Sequence, residues 1–184
     1  MNIIKLYNNK TFEYEKLKEI IFSHNFPWHT CSAHNSPLNS LKDSEYDFRY
    51  FSHKFLGRPG EGTLYPETCS NHTPLVDVVL TQIFSLNNID VSCLYRASAN
   101  LIPPISDSAS FLKSKRTMEH VDHDFPHNNL LIYLTDAGGK TIVGNESYDP
   151  KEDDIIIFPG CMHCIETSHT RDRVVLVVTF GTKK

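Results

Sequence analysis

The stretch EHVDHDFPHNNLLIYL, residues 119–134, sets His120, His123 and His127 beside Asp122 and Asp124, directly before an apolar run. Imidazole nitrogens and carboxylate oxygens are ordinary ligands of first-row divalent metals. His120 and Asp122 stand two positions apart, so on an extended segment both side chains project to one side and can grip a single ion. His123 follows Asp122 and faces the other way, His127 lies beyond Pro126 in a turn-like stretch, and Asp124 is set aside on its spacing from His120. Surface or supporting roles suit these three better. A third ligand has to come from elsewhere in the chain, and His163, between the run DIIIF and the last apolar run, is the best placed. Two histidines and one carboxylate on one face of a metal leave the opposite positions open, which is the arrangement of non-haem iron sites.

Arg173 adds an independent clue. In RVVLVVTF, strand alternation puts Arg173, Val175, Val177 and Thr179 on one face. If that face lines a barrel, the guanidinium enters a poorly solvated interior, where it needs a carboxylate and a two-pronged hydrogen-bonded pair. The neighbouring runs offer no obvious acidic partner, so a dicarboxylate ligand would satisfy it, and Tyr133 could add a hydroxyl to the same carboxylate. Two further groups compete for attention. Cys161 and Cys164 frame His163 as CMHC, but a redox C-x-x-C belongs at the start of a helix in a βαβ setting, and no second pair completes a four-cysteine zinc site. Packing beside the metal is the favoured reading. FLKSKRTM, residues 111–118, carries Lys113, Lys115 and Arg116 and reads by default as a solvated loop, with a substrate lid as the sharper alternative.

These side chains have to be positioned by the rest of the chain. Residues 11–24 read as an amphipathic helix capped by Thr11, with Leu17, Ile20, Ile21 and His24 on one face. Residues 25–73 read as short strands and long loops, with the aromatics around Trp28 and Phe48–Phe55 as core rather than substrate platform. Residues 73–88 read as a second helix, Thr73 capping, Pro74 in the first turn, and Leu75, Val78, Val79 and Ile83 lining a face. From Val91 onward, β-branched and aromatic runs alternate with turns: VSCLYRASANLI, LLIYLT, KTIV, DIIIF and RVVLVVTF. Strands at this spacing suggest an antiparallel sandwich or barrel. The expectation is one domain over residues 1–184, mostly β with supporting α, residues 1–90 supporting a metal-bearing β core at 91–184. A net charge of -4 gives no electrostatic reason to expect a nucleic-acid or membrane partner. Five irregularly spaced cysteines argue for a reducing, cytoplasmic setting, and neither a spanning apolar run nor a signal peptide is visible.

HVD, then LLIYLTDAGGKTIV, then DPKEDDIIIFPGCMH, then RVVLVVTF resembles the 2-oxoglutarate/Fe(II)-dependent oxygenase superfamily, and most of all small prolyl-4-hydroxylase-like members from bacteria and phages. The resemblance covers roughly residues 91–180; the N-terminal half fits only loosely, as helices packed outside a double-stranded β-helix (jelly-roll, cupin-like) core. It implies that His120, Asp122 and His163 bind Fe(II), that Arg173 and Tyr133 hold the C5 carboxylate of 2-oxoglutarate, and that O2 converts this cosubstrate to succinate and CO2 as a substrate is hydroxylated. Ascorbate as a reductant is a further implication. Asn100 and Tyr95 are additional candidate contacts for cosubstrate or substrate. A peptidyl proline is slightly favoured as substrate by the resemblance alone; small molecules stay open, and nucleic acid is disfavoured. The implied location is the cytoplasm of a bacterium or a phage-infected host. The chain departs from the pattern at Val175, where many relatives have Ser or Thr, at Thr135 in place of asparagine, and at Asp154 in place of glycine. Two other readings stand beside this one: a cupin-like module that binds a metal or small ligand without turnover, and a zinc-stabilised interaction domain centred on CMHC.

Overall fold

The computed structural model describes residues 3–32, 49–59, 66–105, 116–168 and 170–183. In chain order the elements are β1 (Ile4–Leu6), α1 (Phe12–Ile21), β2 (His29–Ser32), β3 (Arg49–Leu56), α2 (Thr73–Leu86), β4 (Val91–Ile102), β5 (Asn128–Tyr133), β6 (Thr141–Val143), β7 (Glu146–Tyr148), β8 (Ile155–Pro159), β9 (His163–Ile165) and β10 (Arg173–Thr182). Seven strands form a sheet in the order β1-β8-β5-β10-β4-β3-β2, and three form a second in the order β7-β6-β9. Every pairing is antiparallel. From β5 onward the chain passes from the large sheet to the small one and back twice, which is the winding of a jelly roll.

Alternation along the strands divides the core into two layers. On β10, Val174, Leu176, Val178 and Phe180 face a cluster that includes Tyr14, Leu17 and Ile21 of α1 and Val76, Val79, Leu80 and Ile83 of α2. The helices therefore pack on the outer face of the large sheet. Burying each of these aliphatic side chains contributes roughly 1.5–3 kcal/mol. Leu131, Tyr133, Val143, Ile156, Phe158 and Val175 form a smaller cluster between the two sheets. The inward stripe of β10 is thus Arg173, Val175, Val177 and Thr179, as the alternation requires.

Register sets the inner face in rows. Phe158, Asn129, Thr179 and Arg96 lie side by side across β8, β5, β10 and β4. The next row is Ile156, Leu131, Val177, Ser98 and Lys54, reaching β3, and the one after runs through Tyr133, Val175, Asn100 and Ser52.

Thr11 caps α1 as expected, its hydroxyl oxygen accepting from the Tyr14 amide at 3.2 Å, while its own O–H reaches Gln82 Oε1 at 2.6 Å and ties α1 to α2. The helix stops at Ile21, so His24 lies beyond it and is exposed. In α2 the expected face is corrected. Val78 is exposed and Leu75 only partly buried, whereas Val76, Val79, Leu80, Ile83 and Phe84 are buried. The N-cap is His72, without a side-chain bond; Thr73 is the first helical residue and donates to the carbonyls of Phe55 and Ser70. Lys113, Lys115 and Phe48 lie outside the described residues, and Trp28 packs against the outer core. Among the described residues, no helix is long and apolar enough to cross a membrane.

Candidate metal centre

His120 and Asp122 lie in the connection between β4 and β5, and His163 opens β9. Main-chain pairing brings them together: the His120 amide donates to the His163 carbonyl and the His163 amide to the His120 carbonyl, each at 3.0 Å. One ligand atom from each of His120, Asp122 and His163 lies within 4.8 Å of the others. At metal–ligand bonds of about 2.1 Å, neighbouring donors stand about 3 Å apart, so small side-chain rotations close the site.

The ring orientations favour ligation. His120 Nδ1 donates to the Met118 carbonyl at 3.2 Å and His163 Nδ1 to the Cys161 carbonyl at 2.9 Å. Carbonyls only accept, so in both rings the proton is on Nδ1 and the lone pair on Nε2, the tautomer a metal needs. Burial, with His120 nearby, lowers the His163 pKa and keeps the ring neutral. Asp122 is 5% exposed. Burial alone would raise its carboxyl, but the guanidiniums of Arg96 and Arg58 beside it help hold it below the ordinary range. Its Oδ1 accepts from Arg96 Nη1 at 2.9 Å and Arg58 Nη2 at 3.1 Å, leaving Oδ2 turned toward His163 Nε2 at 3.5 Å.

Arg173 lies inside the barrel at 2% exposure. Its Nη1 donates to the Gly139 carbonyl, in a turn that Gly139 makes possible at φ +80°, and its Nη2 donates to Thr141 Oγ1 at 2.7 Å. The guanidinium carbon stands 5.2 Å from the Tyr133 ring centre. Among the described residues, no carboxylate pairs with it and Nε has no hydrogen-bond partner. Burial lowers the Arg173 pKa and pushes the Tyr133 phenol up to about 12, so the pair stays a cation and a neutral hydroxyl. The Tyr133 hydroxyl meets Thr141 Oγ1 at 2.7 Å. Asn100 Oδ1 accepts from the Ser52 hydroxyl at 2.8 Å, in the same row as Tyr133.

No family model and no curated protein matches this chain. Among solved structures, an oxidoreductase of the 2OG-Fe(II) oxygenase family from Burkholderia pseudomallei covers 97% of this chain and 84% of its own, with a TM-score of 0.69 and 15% identity. This chain has that oxygenase's fold. A full-length Neurospora crassa protein, solved in complex with alpha-KG, covers 98% of this chain and 76% of its own, with a TM-score of 0.53 and 9% identity.

On this oxygenase-type fold the other expected residues take definite places. His123 is turned inward rather than away: its Nε2 meets Thr179 Oγ1 at 2.7 Å, and burial, with His127, pushes its pKa down to about 4. His127 is buried, with Nδ1 donating to the Phe125 carbonyl at 2.7 Å. Tyr95 packs edge-on against Phe125 and His123. Cys161 and Cys164 are free thiols, Cys164 buried, and neither belongs to a cluster of three or more metal-binding groups among the described residues. Arg116 pairs with Glu166 at 3.2 Å across an isolated bridge. Asp154, in the place of a glycine, accepts from the Tyr148 hydroxyl and the Lys151 amide and pairs with Lys5. Sequence reasoning missed Arg58, Arg96 and Thr141. Arg96 was within reach, because the parity that turns Arg173 inward also turns Arg96, Ser98 and Asn100 inward on β4.

The residues present fit an Fe(II) ion with 2-oxoglutarate. The donor set is two imidazoles whose Nδ1 atoms are held by main-chain carbonyls and one carboxylate, gathered within 4.8 Å. A buried guanidinium without an acid or an Nε partner among the described residues is what a distal carboxylate would satisfy.

Proposed function

We propose that this chain is an Fe(II)- and 2-oxoglutarate-dependent dioxygenase, one domain over residues 1–184, that hydroxylates an organic substrate and releases succinate and CO2. The observation that carries this reading is Arg173, a fully enclosed cation without an acid among the described residues, inside the same barrel that gathers His120, Asp122 and His163. His120, Asp122 and His163 would hold the iron. Arg173 would hold the C5 carboxylate of 2-oxoglutarate, with the Tyr133 and Thr141 hydroxyls beside it and Asn100 as a further contact. Bound there, iron and 2-oxoglutarate supply the oxidising power to insert one oxygen atom of O2 into a C–H bond, with ascorbate available to keep the metal reduced.

The protein supplies geometry. The Met118 and Cys161 carbonyls fix the two imidazoles. Arg96 and Arg58 fix Asp122 and keep it ionised. The apolar floor of Leu131, Val175 and Val177 excludes water around the cosubstrate chain. Within this class the sequence resemblance favours a small prolyl-4-hydroxylase-like type acting on a peptide, with small molecules as the other substrate class.

The test is spectroscopic. Anaerobic Fe(II) plus 2-oxoglutarate should give a weak visible charge-transfer band that is lost in His120→Ala, Asp122→Ala and His163→Ala. A band unchanged by His163→Ala would refute the ligand assignment. Failure to release succinate across a peptide and metabolite screen, with metal still bound, would favour a binding module without turnover.

A further inference from the structure

The Arg58/Arg96 pair is more than Asp122 needs. Both guanidiniums give one N–H to the same oxygen, Oδ1, at 3.1 and 2.9 Å, whereas an Arg–carboxylate pair built for its own sake is two-pronged. Oδ2 faces His163 and cannot take up the remaining donors. A guanidinium carries five N–H groups, and among the described residues Arg58 and Arg96 have no protein acceptor beyond that single oxygen. Among the described residues, Asp122 is also the only carboxylate acting on Arg58. With a divalent ion and a dianionic cosubstrate in place, one aspartate still faces three arginines, and positive charge stays in surplus on the Arg58 side.

Two features around the pair point to a ligand. On the inward stripe of β4, Ser98 stands between Arg96 and Asn100, fully buried, and its hydroxyl has no partner among the described residues. The opposing residue on β3 is the exposed Lys54. At the outer edge, Met118, Val121, Phe125 and Met162 are exposed at 37–46% and alternate with the metal ligands along the chain. Arg58 reaches solvent, its side chain 39% exposed, while that of Arg96 is at 12%. The segments that carry the metal ligands thus also carry exposed apolar side chains, and the cationic pair sits on one of those ligands.

We propose that Arg58 and Arg96 recognise an oxyanion, a carboxylate or a phosphate, carried by the substrate that is oxidised. This rests on the function proposed above and narrows its substrate class to molecules with an apolar body and an anionic group close to the oxidised position. The anion takes the free N–H groups of Arg58 and Arg96 and the Ser98 hydroxyl, while Asp122 keeps its bond to each arginine.

Nuclear relaxation by Mn(II) tests this without turnover. The anaerobic protein is loaded with Mn(II) and saturating 2-oxoglutarate, then titrated with inorganic phosphate (31P) and, separately, with acetate (13C). Saturable relaxation of one or both is expected, and the tighter of the two identifies the anion class. Arg58→Gln should weaken it at least about tenfold, and Arg58→Lys should restore part of it. Arg58 also orients Asp122, so the Mn(II) affinity of each variant is measured first and every anion titration is run at Mn(II) and 2-oxoglutarate concentrations that saturate that variant. Relaxation that persists in Arg58→Gln would mean the anion sits on the metal, and would overturn the proposal. Competition between the anion and 2-oxoglutarate would assign the pair to the cosubstrate and also overturn it. An absence of any saturable effect, with 2-oxoglutarate protons relaxed normally, overturns this proposal alone; unrelaxed 2-oxoglutarate overturns the oxygenase reading and this one with it.

Discussion

Replacing Arg173 by methionine separates a residue that holds the fold from one that holds a cosubstrate. Arg173 is 2% exposed and contributes two hydrogen bonds, to the Gly139 carbonyl and to Thr141 Oγ1. Bonds from a charged donor are worth about 1.5–3 kcal/mol each. Against them stands the cost of desolvating an unpaired cation, several kcal/mol, raised further by an Nε without a partner. Methionine fills much of the same volume without that cost, and Thr141 keeps its bond to Tyr133. In the absence of metal and 2-oxoglutarate the two effects nearly cancel, so Arg173→Met should change unfolding free energy by no more than about 1 kcal/mol in either direction. A truncation such as Leu176→Ala on the opposite face of β10 should cost about 2–5 kcal/mol. The ligand reverses this picture. Urea unfolding of the wild type with Mn(II) and 2-oxoglutarate at about 100 times the dissociation constant should show a gain of about 2.7 kcal/mol, and the variant should show almost none. A loss of more than about 3 kcal/mol in the free variant, together with undiminished stabilisation by 2-oxoglutarate, would refute the assignment of Arg173 to the cosubstrate.

Two further outcomes bear on the surroundings. If Cys161 and Cys164 only pack beside the centre, Cys161→Ser with Cys164→Ser should leave Fe(II) or Mn(II) affinity within about threefold, and elemental analysis should find no loss of zinc relative to wild type; stoichiometric zinc lost in the double variant would revive the zinc-domain reading. Asp153 pairs with Lys18 and Lys10 and accepts from the Tyr14 hydroxyl, tying α1 to the turn before β8. Burial raises its carboxyl pKa, but these three partners bring it below the ordinary value. A lowered folded pKa stabilises above the unfolded value of about 3.9 and loses that effect as pH falls through the folded one. Asp153 has φ 67°, which asparagine tolerates, so Asp153→Asn removes the charge and spares the backbone. It should cost about 1–2 kcal/mol at pH 7, with the difference from wild type closing below about pH 4. A difference independent of pH would show that the charge is not what Asp153 contributes.

How much of this was legible depends on whether local pattern or pairing decides each feature. Val91–Ile102 and Arg173–Thr182 announce themselves as strands through β-branched runs, and period two alone turns Arg173 inward. By contrast, α2 carries Leu75, Val76, Val78, Val79 and Leu80 within six positions, so several rotations bury an apolar face, and packing on β3 and β4 selects Val76 and Leu80 over Val78. His163–Ile165 has no pattern of its own; it is a strand because β6 pairs with it and His120 bridges to it. That dependence also explains why the metal ligands were easier to anticipate than their supports. His120 and Asp122 share a side by spacing, a local property. Arg58 follows β3 in a stretch with no periodicity, and only the pairing of β3 with β4 brings it to the carboxylate that Arg96 also holds. A second cation at Asp122 is a consequence of register, invisible until the sheet exists, and it is this register that gives the metal centre its cationic pair.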